Sequence, residues 1–330
     1  MLKYKVIKLK NLTPLHIGTG KENYDFSSGS LHSDTLSSAL AAIRANNGKS
    51  EDVESFLNSF SISSAFPFYE NRFFMPKMQG NIPITIDGEE EHLMRKQLKK
   101  IKFIELDIWN DIISGVHKKV DKNQIQGDFL IDLSNEDFAI TSKSYVSQRA
   151  AVSRDNTVET APFFFEWRYF DPKGGLFCLL NCDEKVFKEI FELFEQLGET
   201  GLGTDRNVGG GKFEVEESEI SLPTIEDPNH MMLLSLFIPQ EEELEKLHLN
   251  KSKYDILLRG GFMAGSAEEA LRHLRKKSIY MFNAGSVFNT TNELIGKVVD
   301  LQPKWNDERM HPVFRSGKPF YLPVKIANYE

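Results

Sequence analysis

Lysine and apolar residues alternate along Tyr4-Lys5-Val6-Ile7-Lys8-Leu9, and this period of two predicts a first strand. Pro14, Gly18 and Gly20 end regular pairing in the stretch that follows. Ser33-Asp34 reads as a helix N-cap, with Leu36, Ala39, Leu40 and Ile43 on one helical face behind it. Arg72 to Met75 reads as a second strand, stopped by Pro76. From about residue 80 to 165 the rhythm breaks. Glu89 to Lys100 is a charged helical stretch. Ser144 to Arg149 and Asn156 to Glu159 then read as two polar hairpin arms, with Ser153 to Asn156 in the turn. Such a hairpin lacks a core of its own, so it is expected to project or to lean on a partner.

Regular patterning returns with strands at Phe163 to Phe170 and Leu176 to Leu180. The clearest helix of the chain comes next: Val186, Phe187, Ile190, Phe191, Phe194 and Leu197 form one stripe, and Lys188, Glu189, Glu192 and Glu195 lie opposite. A glycine loop spans 198–211, and Lys212 to Glu216 is a strand. With the insertion set aside, the order is strand, helix, strand, strand, helix, strand. That predicts a split βαβ, ferredoxin-like (RRM-like) unit. After Pro223 and Pro228 the pattern restarts. Met231 to Pro239 reads as a long strand, Glu241 to Leu249 as a short acidic helix and Tyr254 to Leu258 as a strand. Ala267 to Lys276 reads as a helix, Ile279 to Phe282 as a strand, and further strand fragments follow. The expected architecture is α+β with two such domains: 1–222 with the insertion at about 80–165, and 223–330.

Composition supports this reading. The 330 residues, 40% of them hydrophobic and including 25 Phe, supply sizeable cores and exclude global disorder. No run of apolar residues is long enough for a membrane helix. The start patterns as a strand rather than a signal peptide, so a soluble, cytoplasmic protein is expected. Cys178 and Cys182 read as buried free thiols. The net charge of −8 is unevenly spread. Residues 1–21 hold five Lys and no acid, 214–227 hold six acids and no Lys or Arg, and 259–280 are basic. That segregation permits one basic face and one acidic face.

The glycine loop holds six Gly in its fourteen positions. It is neither a Walker A loop nor a dinucleotide fingerprint, because position 206 is Arg where each requires Gly, and a helix precedes it where a strand should. Glycine backbone can still approach phosphates closely, and Arg206 and Lys212 add cationic donors, so binding of an extended phosphate backbone is expected. No set of His, Cys, Asp or Glu has metal-ligand spacing, so neither a metal nor a cofactor is expected.

These features carry a resemblance. A glycine-rich loop between the last helix and last strand of a ferredoxin-like domain resembles the signature of the RAMP superfamily of CRISPR proteins. Leu12 to Gly18, Leu31-His32-Ser33-Asp34-Thr35-Leu36, Gly203 to Gly211 and His311 to Pro319 resemble one branch of it, the fourth subunit of the type III-A Csm complex. The resemblance implies a non-catalytic subunit that holds the 5′ repeat-derived tag of a guide RNA. It also implies docking to the large polymerase-like signature subunit and to a neighbouring backbone RAMP subunit. Lys10, His16, Gly18, Ser33, Asp34, Arg149, Arg154, Arg206, Asn207, Gly209, Gly210, Gly211 and Lys212 are the candidate RNA-binding residues. The alternative is a metal-independent endoribonuclease that processes precursor guide RNA, with His16 as base and Lys10, Tyr24 or His32 as partner. A protein-only scaffold docking through the acidic stretch 214–227 is a third reading.

Overall fold

The computed structural model describes residues 1–18, 24–88, 91–132, 141–152, 161–263, 266 and 268–326. It is a mixed α+β structure built around a large mixed sheet. The elements that position the site are β1 (Leu2–Lys10), α1 (Ser33–Asn46), β2 (Phe66–Tyr69), β3 (Arg72–Pro76), β4 (Ser142–Ala151), β5 (Ala161–Phe170), β6 (Gly174–Asn181), α2 (Glu184–Thr200) and β7 (Glu214–Leu222). In the large sheet the order β7-β1-β6-β2-β3 is antiparallel throughout.

Both faces of this sheet are buried. Ile7, Leu9, Cys178 and Leu180 pack under Leu36 and Leu40 of α1 and Phe187, Ile190, Phe194 and Leu197 of α2. On the other face Val6, Phe66, Phe68, Phe177 and Leu179 share a core with Met232, Leu234, Phe320 and Leu322 of the second half. Each such buried side chain contributes about 1.5–3 kcal/mol relative to exposure, so the same burial that forms the sheet holds the second half on it.

Several expectations change. The strand beside β6 is Phe66–Tyr69, and the expected Arg72–Met75 strand is its outer neighbour. The described return arm of the hairpin is β5, paired with β4 from Ser142↔Phe170 to Ala151↔Ala161, and the expected arm Asn156 to Glu159 lies outside the described residues. Residues 153–160, with the expected turn and Arg154, lie outside the described residues. In the second half, the expected long strand from Met231 is regular only over His230–Leu233. The expected helix at 267–276 is reduced to a 3-10 turn at Glu269–Leu271. There the chain folds back instead: Met263 N donates to Leu274 O and Lys276 N to Gly261 O, while Met263, Leu271 and Leu274 form a small core. Glu241–Leu244 is the one α-helix among the described residues of this half, so a second pair of packed helices is absent from them.

The segregated charges form no two faces. β1 and β7 are neighbours with Lys5 opposite Glu219, Lys8 opposite Glu216 and Lys10 opposite Glu214. Lys10 Nζ lies 2.6 Å from Glu216, and Lys3 Nζ lies 3.0 Å from Glu219. The basic strand and the acidic strand neutralise each other.

The signature Ser33-Asp34 does not cap α1 either, since the N-cap residue is His32. The Ser33 hydroxyl accepts from Leu236 N at 2.9 Å, across the boundary between the halves. The Asp34 side chain is fully buried and accepts from Arg259 Nε at 2.9 Å, from Arg259 Nη2 at 3.0 Å and from Arg315 Nη1. Burial pushes its carboxyl up, but Arg315 and Arg259 outweigh this and hold it at about 2. Removing one partner of a buried ion cluster costs about 3–5 kcal/mol, because the remaining charges stay buried without compensation. Asp34→Ala is therefore expected to lose that much stability in urea unfolding at neutral pH. In the native protein this contribution is complete above pH 3.8 and is lost as pH falls toward about 2. A loss below about 1 kcal/mol would mean that Asp34 does not join the halves.

Candidate nucleic-acid interface

A groove of about 690 Å³ runs between the halves. One wall is His16, Ile17 and Gly18 with Gly201 to Thr204 and Arg206 of the glycine loop. The floor is α1, where Thr35, Ser38, Ala39, Ala42, Ile43 and Asn46 recur at helical spacing. The opposite wall is Leu258 to Phe262 with Arg272, Lys276 and Arg315. Among the described residues that line it, Arg206, Arg259, Arg272, Lys276 and Arg315 face one carboxylate, Asp34, which two of those arginines already engage. The groove is net cationic in a chain that is net acidic, as a phosphate-bearing ligand requires.

The glycine loop is anchored to the segment after β1. Thr204 N donates to His16 O, Gly211 N to Pro14 O and Thr13 N to Lys212 O. The Thr13 hydroxyl donates to Gly209 O at 2.8 Å and accepts from Lys212 N at 2.7 Å. The three consecutive glycines do not offer their N–H groups to a ligand, as their spacing suggested. Gly209 N is spent on Arg206 O, Gly210 N on Asp205 O and Gly211 N on Pro14 O. Two of them are glycine for packing reasons. A Cβ on Gly210 would meet the Trp167 ring at 2.5 Å, and one on Gly211 would meet Leu202 O at 1.9 Å. Gly209 has open space around it. Exposed Arg206, Asn207 and Lys212 remain as the loop's outward groups.

The hairpin braces this loop. Arg149 lies over Phe165 and Trp167, 4.3 and 5.2 Å from their ring centroids, and its Nη1 reaches Asp205 at 2.6 Å. Its acidic partner thus comes from the glycine loop, a non-local pairing that no spacing along the hairpin announces. Lys10 is paired with Glu216, and Ser33 and Asp34 are buried in contacts between the halves, so none of the three is free for a ligand.

His16 is 1% exposed, with Nδ1 2.8 Å from Glu166 O and its ring 4.5 Å from the Phe165 ring. Tyr24 is 6.4 Å away between ring centroids. His32 is buried, and burial followed by the charge of Arg259 pulls it down to about 4. Cys178 is buried and Cys182 half-buried, both as free thiols whose ionisation burial disfavours. Sequence reasoning missed the second-half wall: Arg259, Arg272, Lys276 and Arg315 lie 53 or more positions beyond Arg206, and only the fold brings them opposite it.

Residues 8–214 match the RAMP superfamily, and the chain belongs to that superfamily. Residues 226–324 match the CRISPR Csm4 C-terminal domain. It is similar, at 26% identity over 309 residues, to the CRISPR system Cms protein Csm4 of Mycobacterium tuberculosis (strain CDC 1551 / Oshkosh), with 92% of this chain and 93% of that one covered. To the protein of the same description from Streptococcus thermophilus it is 25% identical over 323 residues, covering 94% and 96%. In fold it resembles a chain of the Csm3–Csm4 subcomplex of the type III-A CRISPR-Cas interference complex, with TM-score 0.61, 18% identity and coverage of 98% and 100%. It resembles likewise a chain of a Csm1–Csm4 cassette in complex with cA4, with TM-score 0.60, 19% identity and coverage of 99% and 100%.

The packing of the loop fixes what glycine substitutions report. Gly210→Val is expected to lower the melting temperature sharply, because the ring it would meet, Trp167, is buried against Phe165 and Arg149. Gly209→Ala is expected to cost only the left-handed backbone conformation, about 1–2 kcal/mol. Equal melting temperatures for the two variants would contradict this packing.

Proposed function

We propose that this protein is a non-catalytic, RNA-holding subunit of a type III-A CRISPR interference complex, with units 1–222 and 223–330, the first ferredoxin-like. In this reading it takes the 5′ repeat-derived tag of the guide RNA in the cationic groove, and it docks to a Csm1-type large subunit and a Csm3-type backbone subunit. The observation that carries the reading is the groove's charge: among its described lining residues, five cations face one carboxylate that is already engaged. The sheet supports it by elimination. RRM-type proteins stack bases on an open sheet face, but here Phe66, Phe68 and Phe177 of that face are buried under the second half. Solved relatives described as Csm1–Csm4 and Csm3–Csm4 assemblies support the partners. Gly18, Arg206, Asn207, Gly209 and Lys212 stay as proposed RNA contacts from the first half, and His16, buried and bonded to Glu166 O, supports them from behind.

The nuclease alternative requires a base and an acid in reach of one ribose. His16 has its Nδ1 engaged by a carbonyl, Lys10 is engaged with Glu216, and His32 is buried. This scatter favours holding over cutting.

Fluorescence anisotropy with a tag-bearing guide RNA tests the reading. Arg206→Ala should weaken binding and lower the slope of log affinity against log salt by about 0.7, the value for one phosphate contact on a single strand. An unchanged slope would take Arg206 out of the interface. Incubating the protein with repeat-containing RNA, with and without Mg²⁺, should leave the RNA intact. Cleavage that His16→Ala abolishes would overturn the holding role in favour of maturation.

A further inference from the structure

The second-half wall of the groove carries more positive charge than its neighbours compensate. Asp34 takes both Arg259 and Arg315, so two cations share one anion. Arg259 also donates to Thr35 Oγ1 at 3.0 Å, and Arg315 Nη2 to Gly260 O at 3.3 Å. Arg315 Nε is buried with no acceptor among the described residues. Lys276 lies beside them on the same wall, half-buried, with its stem along Gly261 and no hydrogen-bonding or ionic partner for its ammonium among the described residues. Burial, then the charges of Arg315 and Arg259, pulls Lys276 down to about 8, against the opposing pull of Asp34. A half-buried charge without a counter-ion is costly, and an anion seated beside it would remove that cost.

We propose that Lys276, Arg259 and Arg315 form a phosphate-binding subsite on this wall, opposite Arg206, which takes one phosphate group of the groove's ligand. The inference rests on the RNA-holding reading and adds the second half as its other hand. Two guanidiniums already oriented by Asp34 offer planar donors, and the lysine supplies a point charge. A seated phosphate favours the ammonium form, so near pH 8 binding draws a proton from solvent onto Lys276 Nζ, with no covalent change elsewhere.

Isothermal titration calorimetry tests this at a pH of about 8, in two buffers of different ionisation enthalpy, with a tag-sequence oligoribonucleotide as one probe and inorganic phosphate as the other. The native protein is expected to take up about half a proton per oligonucleotide bound. Lys276→Arg, which keeps the charge but not the titration, should retain the affinity and take up none. Lys276→Met should bind about tenfold more weakly while melting no lower than the native protein, because it removes an uncompensated charge. Proton uptake unchanged in Lys276→Arg, or affinity unchanged in Lys276→Met, would overturn the subsite. If the native protein does not bind the oligonucleotide, the RNA-holding reading itself fails. If Arg206→Ala weakens binding and Lys276→Met does not, that reading stands and only the subsite falls. Lys276-dependent binding of inorganic phosphate would show that a free phosphate group suffices. Lys276-dependent binding of the oligonucleotide alone would assign the subsite to the polymer's backbone.

Discussion

A single carboxylate, Asp34, sits without solvent contact between two guanidiniums that come from the other half of the chain. Much of the site's geometry depends on this clamp. Apolar burial alone would hold the second half against the sheet, but apolar contacts are non-directional and tolerate sliding. The clamp and the Ser33 hydroxyl bonded to Leu236 N fix where α1 stands relative to Arg259, Gly260 and Arg315, and so give the groove its width. A buried ion cluster is weak evidence for stability, since desolvation offsets most of its Coulomb energy. Its use here is positional.

Charge follows the same economy elsewhere. The lysines of β1 and the acids of β7 cancel along one antiparallel ladder, and Arg149 is answered by Asp205. With the sheet covered on both faces and these pairs closed, the described lining of the groove keeps cationic side chains in excess over acids. The glycine loop contributes shape more than donors. Its glycines let it pack against Trp167, Leu202 and His16, and that packing sets Arg206 at the groove's rim.

Elements whose pattern comes from one buried face were legible in the sequence: β1 begins and ends within two residues of its expected limits, and α2 shows its apolar stripe in full. Phe66–Tyr69 escaped notice because it is buried on both faces and so has no alternation to read. Ser33-Asp34 misled because a buried ion-pair anchor and a helix cap use the same residue types at the same place. The 267–276 stretch is rich in good helix formers, yet pairing of 261–263 with 274–276 overrode that propensity. Of the candidate site, the loop and Arg206 could be found from composition. Arg259, Lys276 and Arg315 could not, because their meaning depends on facing Arg206 and Asp34 across a space the fold creates.

Photo-crosslinking of a tag-bearing guide RNA, read out by mass spectrometry of the modified peptides, tests most directly that this space holds the RNA. Tyr24 and Phe262 stand on the groove's two walls, whereas Tyr145 and Tyr280 are exposed away from its lining. Crosslinks at Tyr24 and Phe262 are the result expected. Crosslinks confined to Tyr145 or Tyr280, with both groove aromatics unmodified, would contradict the account.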